Sequence, residues 1–338
     1  MKVLFFTPPA EQRLGGLDAA ISGLRGALER HGIEVGGEMP ARGANCVAHF
    51  HGLWQRSFPS LARTCRSLGI PYLVSPHGML EPWARRKKWW KKWPYFHLVE
   101  KRWIAGAACV FATAEPEAAR LRAIFPRSRV ESLPLGLTAD KRPDYAAARA
   151  RLGWNAQETV LLFLSRIHEK KGLDLLLSAL AEIHRTLPGA VRLVIVGPGE
   201  QPEYAARCRE FIAQNSQRLP RTDWIGAVWG EDRWSYFQGA DLFCLPTHSE
   251  NFGLAVLEAS QVGTPALTTT ETPWADALSD RGFIARPEIA DIRAQLARFF
   301  SAPRITMEAR AALSDWAWEN YDWASLATRY AAVYESLR

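Results

Sequence analysis

Two carboxylates eight positions apart, Glu250 and Glu258 in HSENFGLAVLEAS (248–260), and two cations, Arg166 and Lys171 in RIHEKKGLD (166–174), have the types and spacing to hold an extended anionic ligand. A helix is expected to begin at about Phe252. Its first-turn N–H groups would have no partner within the helix and would favour anionic oxygen. Glu250 precedes that helix and reaches the reacting end of a ligand held there. Glu258 lies about 12 Å further along the axis and reaches another part, such as ribose hydroxyls. Two cations beside a helix start, with Gly172 to turn the chain, suit a diphosphate. Gly197-Pro198-Gly199 reads as a tight turn where a flat group approaches the backbone. Either glutamate alone would be read as a cap or a dipole partner. Together with the Arg/Lys loop, the set fits a ligand of sugar, diphosphate and nucleoside.

These residues need a scaffold that brings distant loops together. Short apolar runs alternate with longer amphipathic stretches, twice. Strands are expected at Val3–Thr7, Val47–His51, Tyr72–Ser75, Cys109–Thr113 and Val130–Leu133. A second set falls at Val160–Ser165, Arg192–Val196, Asp223–Ile225, Leu242–Leu245 and Ala266–Thr268. Helices are expected near Gly16, Ser57, Pro94 and Pro116, and over 173–187, 202–215, 231–239, 252–263 and 289–301. Nearly continuous apolar strands alternating with helices imply parallel sheets covered on both faces. The expected architecture is α/β, with domains at 1–150 and 151–315 joined through the polar stretch 137–157. An aromatic-rich helix over 316–338 packs back towards the first domain. Open sheets of this kind bind ligands beyond the carboxyl ends of their strands, where Arg166, Gly197 and Glu250 fall.

Of 338 residues, 48% are hydrophobic and 23% charged, a usual balance for a globular chain. No apolar run approaches the 18 residues of a membrane span. Cysteines 46, 65, 109, 208 and 244 form no C-x-x-C pair, which argues against a disulfide framework or a zinc site. Residues 1–150 carry 23 Lys and Arg against 12 Asp and Glu, whereas 151–338 carry 19 against 23, so the basic half points to an anionic partner. Much of that excess lies in WARRKKWWKKW (83–93), where six of residues 85–92 are basic and four tryptophans intervene. Tryptophan favours lipid headgroups and Lys/Arg attract anionic lipid. The stretch is therefore expected to dock on the inner leaflet, and its alternative is a solvated basic helix with tryptophans packed inward. No nucleic-acid module is visible, so no nucleic-acid partner is expected. His49 and His51 share one strand face. His49 reads as structural, and His51, at the strand end, is open between structure and function. His77, between Pro76 and Gly78 at a strand end, reads as functional.

The ordered set resembles the family 4 retaining glycosyltransferases of the GT-B fold. The family's E-x7-E signature matches Glu250 to Glu258, and its Gly-Arg…Lys-Gly loop matches Ser165-Arg166…Lys171-Gly172. Gly263-Thr-Pro265-Ala-Leu-Thr continues the match. In the first half, Leu14-Gly15-Gly16-Leu17 resembles the family's glycine loop. Val47–Gly52 and Pro76–Leu80 resemble two more of its strand ends. The resemblance covers nearly the whole chain. It implies two Rossmann-like domains facing a central cleft, acceptor in the first and donor in the second, with a C-terminal helix crossing the seam. It implies that Arg166 and Lys171 bind the donor diphosphate and stabilise the leaving group. Glu250 would hold sugar hydroxyls and Glu258 the ribose. The backbone at Phe252, Gly253 and Leu254 would approach sugar and phosphate, and Gly15 and Gly16 the phosphate. His77 would face the donor sugar. Two departures stand out: Leu133-Pro134-Leu135-Gly136 replaces a Pro-Asn-Gly, and Ser165 replaces a glycine. No Asp-x-Asp triplet occurs, in keeping with charge neutralisation by Arg and Lys and with no metal or other cofactor.

The expectation is a metal-independent retaining transferase. It would take sugar from a nucleoside diphosphate sugar, UDP before GDP, to a lipid-linked or cell-surface polysaccharide or lipopolysaccharide hydroxyl. It would work in the cytoplasm, peripheral on the inner face of the plasma membrane. A non-catalytic glycan- or membrane-binding adaptor on the same fold is the alternative, which the intact Arg166, Lys171, Glu250 and Glu258 oppose. A dehydrogenase would need G-x-G-x-x-G, and Gly197-Pro-Gly199-Glu-Gln-Pro202 lacks the third glycine.

Overall fold

The computed structural model describes residues 1–9, 11, 16–42, 44–83, 89–137 and 139–337, without the side chains of 89, 91 and 92. The chain forms two compact units, Met1–Thr138 with Tyr321–Arg338, and Ala139–Asn320. Each holds a six-stranded sheet in which every described pairing is parallel. This is the doubly wound α/β class that the alternating pattern implied.

In the first unit the strands are β1 (Lys2–Phe6), β2 (Glu34–Gly36), β3 (Cys46–His51), β4 (Tyr72–Ser75), β5 (Cys109–Ala112) and β6 (Val130–Ser132), in the order β2-β1-β3-β4-β5-β6. Side chains alternate across the sheet. Leu4, Phe6, Ala48, Phe50, Tyr72 and Val74 build one core, with Trp103 and Phe58. Val3, Phe5, Val47, Leu73 and Phe111 build the other, which is closed by Trp323, Leu326, Tyr330 and Tyr334. The latter four lie on the helix Trp323–Glu335, so the end of the sequence is part of the first unit's core. Trp323 packs where Gly23 and Gly136 lack a side chain; a Cβ on Gly136 would lie 2.5 Å from its ring.

The second unit has β7 (Thr159–Leu164), β8 (Val191–Val196), β9 (Arg221–Gly226), β10 (Leu242–Cys244), β11 (Ala266–Thr269) and β12 (Phe283–Ala285), in the order β12-β11-β10-β7-β8-β9. Leu161, Leu162, Phe163, Leu193, Ile195, Phe243 and Leu267 are fully buried, as strands covered on both faces must be. From β7 the chain winds outward through β8 and β9. It then returns to β10 on the other side of β7 and winds away through β11 and β12. The loops after β7 and β10 therefore diverge at the switch point, where such sheets bind ligands. In the first unit the switch lies between β1 and β3.

Several boundaries differ from expectation. The division at 150 would cut the helix Tyr145–Leu152, which belongs wholly to the second unit. The expected single helix over 316–338 is two helices, Met307–Tyr321 and Trp323–Glu335. The break is Asp322, in extended conformation, whose carboxylate accepts from the N–H groups of Ala324 and Ser325. The signature helix runs over Leu254–Gln261, shorter than 252–263, because Gly253 adopts a left-handed conformation (φ 79°) and breaks the chain before it. Edge strands β2 and β12, three residues each, had not been expected. No described helix is long and apolar enough to cross a membrane.

Candidate functional site

In the second unit Arg166, Glu200 and Glu250 lie in the loops that follow the carboxyl ends of β7, β8 and β10. Arg166 follows β7, and Lys171 ends the short 3-10 turn Glu169–Lys171, whose start is capped by the His168 ring accepting from the Lys170 N–H at 2.9 Å. Gly172 then turns left-handed (φ 70°), and a Cβ there would lie 2.1 Å from the Pro246 carbonyl oxygen. That close approach ties the β7 loop to the β10 loop. The Thr247 hydroxyl and the His248 N–H both donate to the Lys170 carbonyl at 2.8 Å. The β8 loop is joined on the other side by a bridge between Ile167 and Gly199. Gly197 (φ 147°) has no room for a side chain, since a Cβ would lie 1.8 Å from the Ser165 carbonyl oxygen. Its lack of a Cβ is thus used for backbone packing.

This stitching brings Lys171 and Glu250 into an ion pair with both side chains about nine-tenths buried. Burial would raise the Glu250 carboxyl, but Lys171, then Lys170 and Arg166, draw it below the usual carboxylate range. Glu250 is therefore an ionised acceptor at neutral pH, among three cations. Its own N–H donates to the Glu271 carbonyl at 3.0 Å, which fixes the loop. Arg166 pairs with Glu200 at 2.7 Å, and both remain more than a third exposed. Glu258, nearly buried, pairs with Arg233 at 2.8 Å. The two glutamates do not share a helix: Glu250 precedes Gly253, while Glu258 lies within Leu254–Gln261. Phe252 is also outside the helix. Its ring packs edge-on against Trp274, and its carbonyl accepts from the Trp274 indole N–H. The first helical residue is Leu254.

Glu200 and Arg233 were missed by sequence reasoning. Glu200 directly follows the Gly-Pro-Gly turn and could have been found from its place in that loop. Arg233 carries no such signal, since it meets Glu258 from 25 residues upstream.

In the first unit, Gly16 is the exposed first residue of the helix Gly16–Arg30, and Gly15 lies outside the described residues. His77 follows β4 at φ 51°. Its Nε2 lies 3.1 Å from His51 Nδ1. His49 is the structural histidine that its strand position suggested: Nδ1 meets the Tyr334 hydroxyl at 2.8 Å and Nε2 the Ser75 hydroxyl at 2.7 Å. Burial lowers all three imidazoles, His77 to about 4. Of the basic-aromatic stretch, residues 84–88 lie outside the described residues. Trp90 and Trp93 are 61% and 59% exposed, so these two do not pack inward. Among the described residues, no cluster of three or more His, Cys, Asp or Glu could hold a metal ion.

The solved structures similar to this chain include sucrose-phosphate synthase from Thermosynechococcus elongatus, with TM-score 0.76 at 18% identity over 99% of this chain and 98% of that one. Another is HepE of Anabaena in complex with UDP and glucose, with TM-score 0.75 at 17% identity over the whole of both chains. At these identities the likeness is one of fold, the GT-B type with two Rossmann-like domains. Among curated proteins, the D-inositol 3-phosphate glycosyltransferase of Segniliparus rotundus is 34% identical over 176 residues, 50% of this chain and 38% of that protein. The glycogen synthase of Mycobacterium tuberculosis is 29% identical over 202 residues, 59% and 46% respectively. The chain thus spans less than half the length of these two relatives. Residues 4–136 match the glycosyl transferase 4-like domain. Residues 144–317, which include Arg166, Lys171, Glu250 and Glu258, match the glycosyl transferases group 1 family. With that match running over half of its length, the chain belongs to the glycosyl transferases group 1 family.

Proposed function

We propose that the chain is a retaining, metal-independent glycosyltransferase. It moves a sugar from a nucleoside diphosphate sugar to a hydroxyl of a lipid-linked or cell-surface glycan. The observation that carries this reading is the buried Lys171–Glu250 pair at the switch point of the second unit, with Arg166 and Lys170 acting on the same carboxylate. Ionised Glu250 accepts from sugar hydroxyls, and Lys171 has donors to spare for a diphosphate. As the glycosidic bond to the leaving diphosphate breaks, negative charge grows on that group, and Lys171 and Arg166 stabilise it. Arg166 must exchange Glu200 for phosphate to do so. Glu258 takes the ribose, with Arg233 holding its other side. The backbone at Gly253 and Leu254 opens the helix towards the ligand. Gly16 approaches the phosphate, and His77 contacts the donor sugar. UDP is favoured over GDP, supported by the UDP in HepE, a chain of the same fold.

The exposed Trp90, Trp93 and Leu98, in a stretch of sequence with six basic residues among 85–92, support docking of the first unit on an anionic inner-leaflet surface. The acceptor would be met there, with the protein in the cytoplasm.

A thermal-shift panel of UDP, GDP, ADP and NAD tests the donor site. A ligand at a hundred times its dissociation constant stabilises by about 2.7 kcal/mol. One nucleoside diphosphate should raise Tm in the wild type and fail to do so in Arg166→Ala. A response to NAD alone, or to none of the four, would overturn the assignment.

A further inference from the structure

His77 is one of two described non-glycine residues with positive φ, the other being Trp54. That region is disfavoured for any residue with a Cβ, so it persists only where the surroundings hold it. Helix Glu115–Ile124 supplies two holds. Glu117, 3% exposed, accepts from the Gly78 N–H at 2.8 Å with one oxygen. With the other it accepts from the Thr113 N–H at 2.8 Å and the Thr113 hydroxyl at 3.0 Å. Arg120 donates to Glu81 through Nε at 3.1 Å and Nη2 at 2.5 Å. His51 is the third hold, its ring end to end with that of His77, 22° from coplanar and with centroids 5.4 Å apart.

The direction of the hydrogen bond between the rings follows from proton counting. Burial keeps both rings neutral, so each carries one N–H. If His77 donated, the proton of His51 would sit on Nε2, a buried atom with no partner among the described residues. A buried N–H without an acceptor is the rarer and costlier outcome. If His51 donates from Nδ1, Nε2 carries only a lone pair, and the proton of His77 is left on its Nδ1.

We propose that His51 and Glu117 are positioning residues: His51 sets His77 as the Nδ1–H tautomer, and Glu117 locks the backbone at His77–Gly78. His77 then meets its ligand as a hydrogen-bond donor and not as a base. The consequence for catalysis rests on the reading that His77 contacts the donor sugar; the tautomer and the lock do not.

Histidine 15N NMR on the whole chain tests the tautomer without any ligand. His77 should be Nδ1–H in the wild type and lose that preference in His51→Leu. His51→Asn should restore it, because the Asn amide nitrogen takes the place of Nδ1; a role in filling space would be served by Leu instead. An Nε2–H His77 in the wild type, or an Nδ1–H form unchanged in His51→Leu, would overturn the proposal. For the lock, Glu117→Ala should lower hydrogen-exchange protection at Gly78 at least tenfold and leave Leu73 and Val74 unchanged. Protection retained at Gly78, or lost evenly along β4, would overturn it.

UDP release from UDP-glucose separates this inference from the reading beneath it. His77→Ala and His51→Leu should each lower kcat at least tenfold, and the double variant should be no slower than His77→Ala alone. A slow His77→Ala beside an unaffected His51→Leu would sink the positioning role. A His77→Ala as fast as wild type would sink the sugar contact, leaving the NMR result to judge the tautomer.

Discussion

Glu250 owes its charge to its neighbours. Its folded-state carboxyl lies below the ordinary value of 4.5, so its contribution to stability is present above that pH and fades as pH falls through the folded value. Lys171→Met should reverse the sign. Without that cation, burial, the largest influence on the carboxyl, dominates and raises it. The contribution of Glu250 is then greatest below pH 4.5 and is lost as pH rises through the new, higher value. At pH 7 the variant should be less stable by about 3 kcal/mol, the usual cost of leaving a buried charge unpaired. Lys171→Met with Glu250→Gln should recover most of the loss. Thermal melts at pH 4.5 and pH 7 check both statements; a variant whose deficit does not grow with pH would show that Lys170 and Arg166 suffice to hold Glu250 ionised.

Loops at strand ends, more than strands, decide what this fold can hold, and their glycines are where backbones touch. Gly197→Ala places a Cβ against the Ser165 carbonyl in a region of φ that L residues avoid. It should cost about 2–4 kcal/mol and lower Tm by several degrees. Gly199→Ala, whose Cβ would meet nothing within 4 Å, should be close to neutral. Equal melts for the two variants would contradict the packing described. The buried strands were legible because parallel strands covered on both faces must be continuously apolar, as TVLLFL and VRLVIV are. Three-residue edges such as EVG and FIA carry too little pattern to be seen. The signature helix was expected too early because its apolar pattern includes Phe252, while the left-handed turn at Gly253 is a tertiary choice. Arg166, Lys171, Glu250 and Glu258 stood out by type and spacing. Their partners Glu200 and Arg233 did not, because an ion pair across loops leaves no local period. The break at Asp322 was written in the sequence as an N-cap residue before an apolar run, and the density of tryptophan and tyrosine around it masked the signal.

At the scale of the molecule, the second unit is inserted in sequence between two parts of the first. Trp323, Leu326, Tyr330 and Tyr334 are each at most 7% exposed within the first unit's core. At about 2 kcal/mol for each large side chain, their burial is worth on the order of 8 kcal/mol, as much as the net stability of an ordinary domain. A chain stopped after Asp322 should therefore lose the first unit and keep the second. Limited proteolysis should digest residues 1–138 and leave a resistant fragment near 139–320; a resistant first unit would show that the helix is dispensable. The same arrangement sets an order of events during synthesis. On the ribosome, residues 139–320 can complete their fold while the first unit still has one face of its sheet uncovered. Val3, Phe5, Val47 and Phe111 must then wait, with apolar surface open to chaperones or to other nascent chains, until a helix encoded some 200 codons after β5 emerges to cover them.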